Sequence, residues 1–265
     1  IIKENIMKEK DTLLIEIGTE ELPPVQLKKT AQTWLQAFLK GLDKLDIPYG
    51  EAKAFAAPRR LAIQIKAVPF NQADRKIEKK GPSLQAAYDA NGNPTKAALG
   101  FAQSNQVGMQ ALEKLETEKG SWLIYHAHEK GQPLSHLMPD LLKSSLSAFQ
   151  SMKKMRWASF SEEFLRPVHW IVVLHGKTPY AFNCLEVETG QTSQGHRIHA
   201  PLPFKISQAD NYLESLREHY VLADYDERQK AIVDGVYKEA NRLDATPVID
   251  DALLDLVTGL NEWPV

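Results

Sequence analysis

Apolar and polar positions along the chain change their period several times, and each change marks an element. Leu13-Leu14-Ile15-Glu16-Ile17 is a short apolar run broken by one carboxylate, and it reads as a strand. Pro23 and Pro24 then mark a helix start, because proline is tolerated in a first turn. From Val25 onward, Leu27, Ala31, Trp34, Leu35, Phe38, Leu39 and Leu42 form one helical stripe, with Lys28, Lys29, Gln32, Gln36 and Lys40 opposite. Ile47-Pro48-Tyr49-Gly50 is a turn. Leu61, Ile63 and Ile65 alternate with Ala62, Gln64 and Lys66, which predicts a half-buried strand over residues 60–68. Residues 7–72 therefore read as an α+β lobe.

Residues 71–80 are polar, end at Gly81-Pro82 and read as a connector. A turn at Asn91-Gly92-Asn93-Pro94 leads to a helix over Lys96–Ser104 with Thr95 as its cap, and a second short helix is expected over 109–116. Trp122-Leu123-Ile124-Tyr125 is strand-like. Pro133 opens a helix carrying Leu134, Leu137, Leu141, Leu142 and Leu146. The stretch 155–190 is β-rich, and Trp170-Ile171-Val172-Val173-Leu174 is its most buried-looking strand. Residues 73–205 thus form a β-rich domain with inserted helices. From Ser207 the pattern turns helical. Ser207 and Asp210 make a box-like helix start, and Tyr212, Leu213 and Leu216 share a face. Further stripes follow at Ile232, Val233, Val236, Tyr237 and Ala240, and at Leu253, Leu256, Val257 and Leu260. The expected fold class is α+β, with mixed or antiparallel sheets and flanking helices, followed by an all-helical region over 206–265.

Composition narrows the function classes. Among 265 residues, 32 Lys and Arg face 34 Asp and Glu, so a net charge of −2 excludes a globally basic nucleic-acid binder but not a local basic patch. The single cysteine, Cys184, excludes an intrachain disulfide framework and a multi-cysteine zinc site. No apolar run approaches the ~18 residues of a membrane span, and Ile1-Ile2-Lys3-Glu4-Asn5-Ile6 lacks the features of a secretory leader. Residues 1–6 read as a remnant ahead of a natural start at Met7. The ending Asn261-Glu262-Trp263-Pro264-Val265, directly after a helical stripe, predicts a portion of a longer polypeptide. A soluble, cytoplasmic chain is expected.

Nucleotide-binding glycine patterns and the Gly-x-Ser-x-Gly elbow are absent. His126 and His128 share a strand face, but no third metal ligand accompanies them. Cys184 reads as a small buried hydrophobe and His175 as a strand-end residue. Four clusters remain. Glu16-Ile17-Gly18-Thr19-Glu20-Glu21-Leu22-Pro23-Pro24 joins a strand to a helix, and Glu16, Glu20 and Glu21 serve either as a structural turn or as carboxylates for a partner chain or ligand amine. Arg59 and Arg60 stand at a strand entry, where alternation lets only one of them point into a given cleft, with a salt bridge to Glu20 or Glu21 as the plain alternative. Lys153-Lys154-Met155-Arg156-Trp157 and Phe164-Leu165-Arg166-Pro167-Val168-His169-Trp170 form the densest basic-aromatic region, suited to RNA phosphates or to a strand pair with charged ends. Gly190-Gln191-Thr192-Ser193-Gln194-Gly195-His196-Arg197 is either an anion-binding loop or a long hairpin turn.

In this order the clusters resemble the β subunit of the bacterial heterotetrameric glycyl-tRNA synthetase, in its N-terminal part. The resemblance rests on Leu14–Pro23, Ala57–Ala62, Lys80-Gly81-Pro82, Gly92–Ala98, Gly100-Phe101-Ala102, Lys154–Trp157, Phe164–Trp170 and Gly195-His196-Arg197. Ala57 departs from the threonine that the family more often carries. The resemblance implies a domain similar to the B3/B4 part of phenylalanyl-tRNA synthetase over 73–205, then the start of a helical region. It also implies partners, namely an α subunit and glycine tRNA, with a second copy of the chain as a further contact. Glycine activation, with its ATP and magnesium, belongs in this family to the α subunit. No catalytic residue, metal or cofactor is therefore assigned to this chain. Arg59, Arg60, Lys154, Arg156, Arg166, His196 and Arg197 become candidates for tRNA or partner contact, and Glu16, Glu20 and Glu21 for an interface. The competing classes are a scaffold or RNA-binding module without a catalytic role and a stand-alone metal enzyme using His126 and His128. An editing pocket is disfavoured, since bulkier amino acids can be excluded sterically from a glycine site.

Overall fold

The computed structural model describes residues 9–89, 91–117 and 120–264. The sequence-derived remnant over 1–6 and the start at Met7 lie outside them. The elements run β1 (Lys10–Thr19), α1 (Leu27–Lys44), β2 (Ala52–Ala57), β3 (Arg60–Pro69), β4 (Arg75–Ser83), α2 (Leu84–Ala87), α3 (Lys96–Ser104), β5 (Glu113–Thr117) and β6 (Gly120–Glu129). They continue with α4 (Leu134–Ser145), β7 (Val168–His175), β8 (Thr178–Pro179), β9 (Asn183–Cys184), β10 (Val187–Gly190), β11 (Thr192–Gln194) and β12 (Pro203–Lys205). Three helices close the chain: α5 (Tyr212–Glu218), α6 (Tyr225–Arg242) and α7 (Asp251–Leu260). The class is α+β with mixed and antiparallel sheets and C-terminal helices, as the hydrophobic pattern predicts.

The chain folds as two compact units, one running to Gln72 and resuming at Pro133, the other Ala73–Gln132. The first unit is built on a sheet ordered β2-β3-β1-β7-β10-β9, with β8 paired to β7. β1 is antiparallel to both β3 and β7, whereas β10 runs parallel to β7. Because β7 is a direct neighbour of β1, the β-rich region does not form a domain over 73–205. Its later part belongs to the first unit, and only residues 73–132 are set apart.

Strand alternation sends β1 side chains to two different cores. Leu13, Ile15 and Ile17 pack with Leu27, Trp34 and Phe38 of α1 and with Leu134, Met138 and Leu142 of α4. Leu14 faces the other way, with Ala62, Trp170, Val172 and Leu174, under Tyr212 and Leu216 of α5. Both faces of the central strands are covered, so β3 is buried on both sides through Ile65 rather than half-buried. Its inward Gln64 is satisfied by donating Nε2–H to the Ala209 carbonyl at 2.7 Å. The α1 stripe is the one read from the sequence, and the Trp34 indole donates to Ser145 Oγ on α4 at 3.0 Å.

The second unit is a three-stranded antiparallel sheet, β4-β6-β5, with Ala87, Ala98 and Leu123 at its small core. The segment expected as a connector is strand β4, and the helix expected over 109–116 is a 3-10 turn at Met109–Ala111 followed by β5. Main-chain pairing to β6 holds both strands, so neither needs an apolar stripe of its own.

In the C-terminal helices, Asp224 caps α6 by accepting from the Asp226 and Glu227 amides, and Asp250 caps α7 by accepting from Leu253. The box-like start at Ser207 and Asp210 does not cap α5. The Asp210 carboxylate instead accepts from Thr12 Oγ1 at 2.7 Å and pairs with Lys66. Fully buried Arg228 joins α6, α7 and β2 through the carbonyls of Thr258 (3.0 Å), Leu222 and Ala56 (2.8 Å). Past α7 the chain turns back, and Leu222 N–H donates to the Glu262 carbonyl at 2.9 Å. That contact brings the Glu262 side chain to the sheet.

Candidate functional site

Glu16 points to the α5 side of the sheet and is fully buried. A lone carboxylate there would be prohibitively costly, and it is surrounded by donors. Arg60 Nη1 lies 3.2 Å from Oε2, where the Tyr212 hydroxyl also donates at 2.6 Å. Ser193 Oγ and Trp170 Nε1 each donate to Oε1 at 2.5 Å. Five separate parts of the chain, β1, β3, β7, β11 and α5, therefore meet at one side chain. Burial pushes the Tyr212 phenol far up, and the Glu16 charge adds to it.

Arg60 is fully buried as well and bonds through Nη2 to the Gln194 carbonyl at 2.7 Å. Its second carboxylate is Glu262, at 3.5 Å. Burial alone would pull the Arg60 pKa down, but Glu16 and Glu262 outweigh it and raise it. Arg59 lies in the β2–β3 turn, one residue before the strand begins, so the alternation rule does not separate the two guanidinium groups. Both sit over the Trp170 ring, at 5.6 Å for Arg59 and 5.4 Å for Arg60. Gly18 makes this stacking possible, because a Cβ there would come within 1.9 Å of the Trp170 ring.

Around this buried centre is a rim. Glu20 accepts from His169 Nε2 (2.9 Å) on one oxygen and from Arg197 Nη2 (2.8 Å) on the other, and Arg197 Nη1 reaches Glu21 at 3.0 Å. Burial pushes the Glu20 pKa up, but the bonds and charges of Arg197 and His169 outweigh it and hold the carboxyl below its ordinary value. A cavity of about 460 Å³ opens here, lined by Glu20, Arg59, His169, Gln194, Gly195, Arg197 and Pro201. The glycine-bounded segment runs from the end of β10 through β11, and its last residues, Gly195-His196-Arg197, open the hairpin connection from β11 to β12. His196 staples its tip, with Nδ1 accepting from the amides of Ile198 and His199 at 3.2 Å each. Burial lowers the His196 pKa, in keeping with a neutral ring.

Other candidates lie apart. Met155 and Phe164 pair only as an isolated bridge, and the expected strand pair does not form: 153–157 lie in irregular chain, and the strand of the second segment, β7, begins at Val168. Arg156 faces Glu163 at 3.7 Å, and Lys154 is half-exposed in the same segment. Arg166 donates to the carbonyls of Glu21 and Leu165, so it braces the segment before α1. Burial raises the Cys184 thiol to about 11, and the side chain packs against the main core, as expected of a small hydrophobe. His126 pairs with Glu113, and no group of three or more potential metal ligands occurs among the described residues.

The family model of the glycyl-tRNA synthetase beta subunit matches residues 13–265. The chain belongs to this family. It is similar to the glycine–tRNA ligase beta subunits of Marinobacter nauticus (43% identical over 254 residues, 95% of this chain and 37% of the relative) and Chromohalobacter salexigens (44% over 253 residues, 96% and 37%). The corresponding subunit of Hahella chejuensis is 42% identical over 252 residues, covering 95% of this chain and 36% of the relative. The chain thus spans a little over a third of the length of the curated relatives it matches. No helix among the described residues is long and apolar enough to cross a membrane.

The glycyl-tRNA synthetase beta subunit match takes in every residue of the buried network, from Glu16 to Glu262. Glu16 and Arg60, expected at a contact surface, are instead enclosed and hold the fold. The salt bridges expected from Arg59 and Arg60 to Glu20 or Glu21 form with Glu16 and Glu262. Sequence reasoning missed Ser193, Tyr212 and Glu262 as members. The Glu-x-Pro triplet at 262–264 is the only local signal for the last of these.

Proposed function

We propose that this chain is the N-terminal part of a glycine–tRNA ligase β subunit and supports ATP-dependent attachment of glycine to its tRNA. It does so through docking to an α subunit and through tRNA binding, while glycine activation, with ATP and magnesium, takes place in the α subunit. The observation that carries this reading is the family match over residues 13–265. The site chemistry agrees with a binding role. Glu16 and Arg60 have their charges consumed by the fold, whereas Arg59, His169 and Arg197 border an open cavity. A cytoplasmic location follows from the same reading.

Salt-titrated binding of glycine tRNA to the chain, alone and with purified α subunit, tests it. Binding with a negative slope of log affinity against log salt is expected, since phosphate contacts release counterions. Arg156→Ala and Arg166→Ala serve as comparators. Arg166 is committed to backbone carbonyls, so its effect should be smaller than that of rim substitutions. Failure of the chain to bind either tRNA or the α subunit would contradict the reading.

A further inference from the structure

Arg59 is more than nine-tenths buried, yet its Nε and Nη1 have no hydrogen-bond partner among the described residues. The one hydrogen bond its guanidinium makes among the described residues is long, from Nη2 to Gln194 Oε1 at 3.5 Å, and the Glu262 carboxylate stands off Nη1 at 3.9 Å. Buried guanidinium groups are normally saturated, because each unsatisfied donor costs about 1–3 kcal/mol. Arg60 next door also leaves its Nε unpaired among the described residues, but both of its Nη groups are engaged, by Glu16, Ser193, Glu262 and the Gln194 carbonyl, so the larger shortfall is at Arg59. The same Arg59 lines the 460 Å³ cavity, together with Gln194, Arg197 and His169.

We propose that this cavity is a phosphate-group subsite, with Arg59 as its buried anchor and Arg197 and His169 as its rim. Resting on the functional reading above, we assign its occupant to one phosphodiester of the tRNA. An entering oxyanion would displace the weak Gln194 contact and meet a guanidinium already oriented against Trp170. Little side-chain ordering then remains to oppose binding. Both Glu20 oxygens are already engaged by His169 and Arg197. Its carboxylate therefore fixes the two cations beside the opening instead of meeting the ligand directly. A planar fork suits phosphate, and the mixed rim explains how a chain of net charge −2 can hold one phosphate without a broad basic surface.

The test follows the Arg59 Nε–Hε signal by NMR while the chain is titrated with inorganic phosphate, with sodium chloride at matched ionic strength, and with acetate. A saturable shift specific to phosphate, weakened about tenfold in the exposed rim variant Arg197→Ala, is expected. No phosphate-specific shift would overturn the proposal, and a stronger response to acetate would assign the cavity to a protein carboxylate instead. In the RNA arm, Arg59→Lys, checked for folding by its melting curve, should weaken glycine-tRNA binding about tenfold and reduce the salt slope by about one. A phosphate shift with an unchanged tRNA slope would overturn the RNA assignment and point to free phosphate or a nucleotide. Wild-type chain that takes phosphate but binds neither tRNA nor α subunit would refute the functional reading while leaving the subsite standing.

Discussion

Replacing Glu16 with alanine would leave Arg60 buried without its nearest carboxylate and deprive Tyr212, Ser193 and Trp170 of their acceptor. Breaking a buried pair from one side costs about 3–5 kcal/mol. Glu16→Ala is therefore expected to lower the unfolding free energy in urea by at least that amount, and a loss under about 1 kcal/mol would contradict the network. A second residue gives a pH dependence. Buried His175 donates Nε2–H to the Val68 carbonyl at 2.9 Å and accepts from the Tyr180 hydroxyl on Nδ1 at 2.7 Å. Burial holds its pKa below the ordinary imidazole value, against the opposing pull of the Val68 carbonyl. The unfolded chain thus takes up a proton that the folded chain resists. Its contribution is complete above pH 6.5 and is lost as pH falls from there through the folded value. A His175→Gln comparison by denaturant titration at several pH values checks this, and the variant should show a shallower acid loss. At this scale the sequence was partly legible. A carboxylate inside an apolar run and two adjacent arginines can be seen by eye. Glu262 cannot, because its partnership with Arg60 spans nearly the whole chain and only the fold creates it.

Helix α1 shows what is readable at the scale of elements, since its period alone placed its buried face against the sheet. Strand β4 shows what is not. Ile77 is flanked by Lys76, Glu78, Lys79 and Lys80, and pairing with β6 makes the strand rather than any apolar alternation. Helices α6 and α7 lie between these cases. Their capping aspartates are visible in the sequence, but much of the apolar surface read as a packed face is exposed, including Tyr237, Leu253 and Leu260. What fixes the pair is Arg228, a charged residue on α6 that no pattern singles out. Arg228→Ala removes three buried carbonyl contacts and should cost about 3–5 kcal/mol. Amide exchange across α7 should rise before the central sheet opens. Equal loss of protection in both would contradict the local clamp.

For the whole molecule, the sequence located one boundary near residue 73 but carried the second domain on to 205. The error has a topological cause, because β7 returns to pair with β1 across a long separation that local reasoning does not see. The ends of the intervening unit are joined within the first unit. Asn71 bridges to Pro133, and Leu134 N–H donates to the Phe70 carbonyl at 2.8 Å. Excising residues 73–132 and closing the gap with a short glycine-serine turn should therefore leave a first unit that still unfolds cooperatively. Loss of that transition would show that the sheet needs the second unit. The proposed role is that this chain binds tRNA and its partner subunit, while glycine is activated elsewhere. Glycine-dependent ATP–pyrophosphate exchange tests it most directly, measured on the chain alone and with the α subunit. No exchange above background is expected for the chain alone, and clear exchange is expected once the α subunit is added. Robust exchange by the chain alone would contradict it.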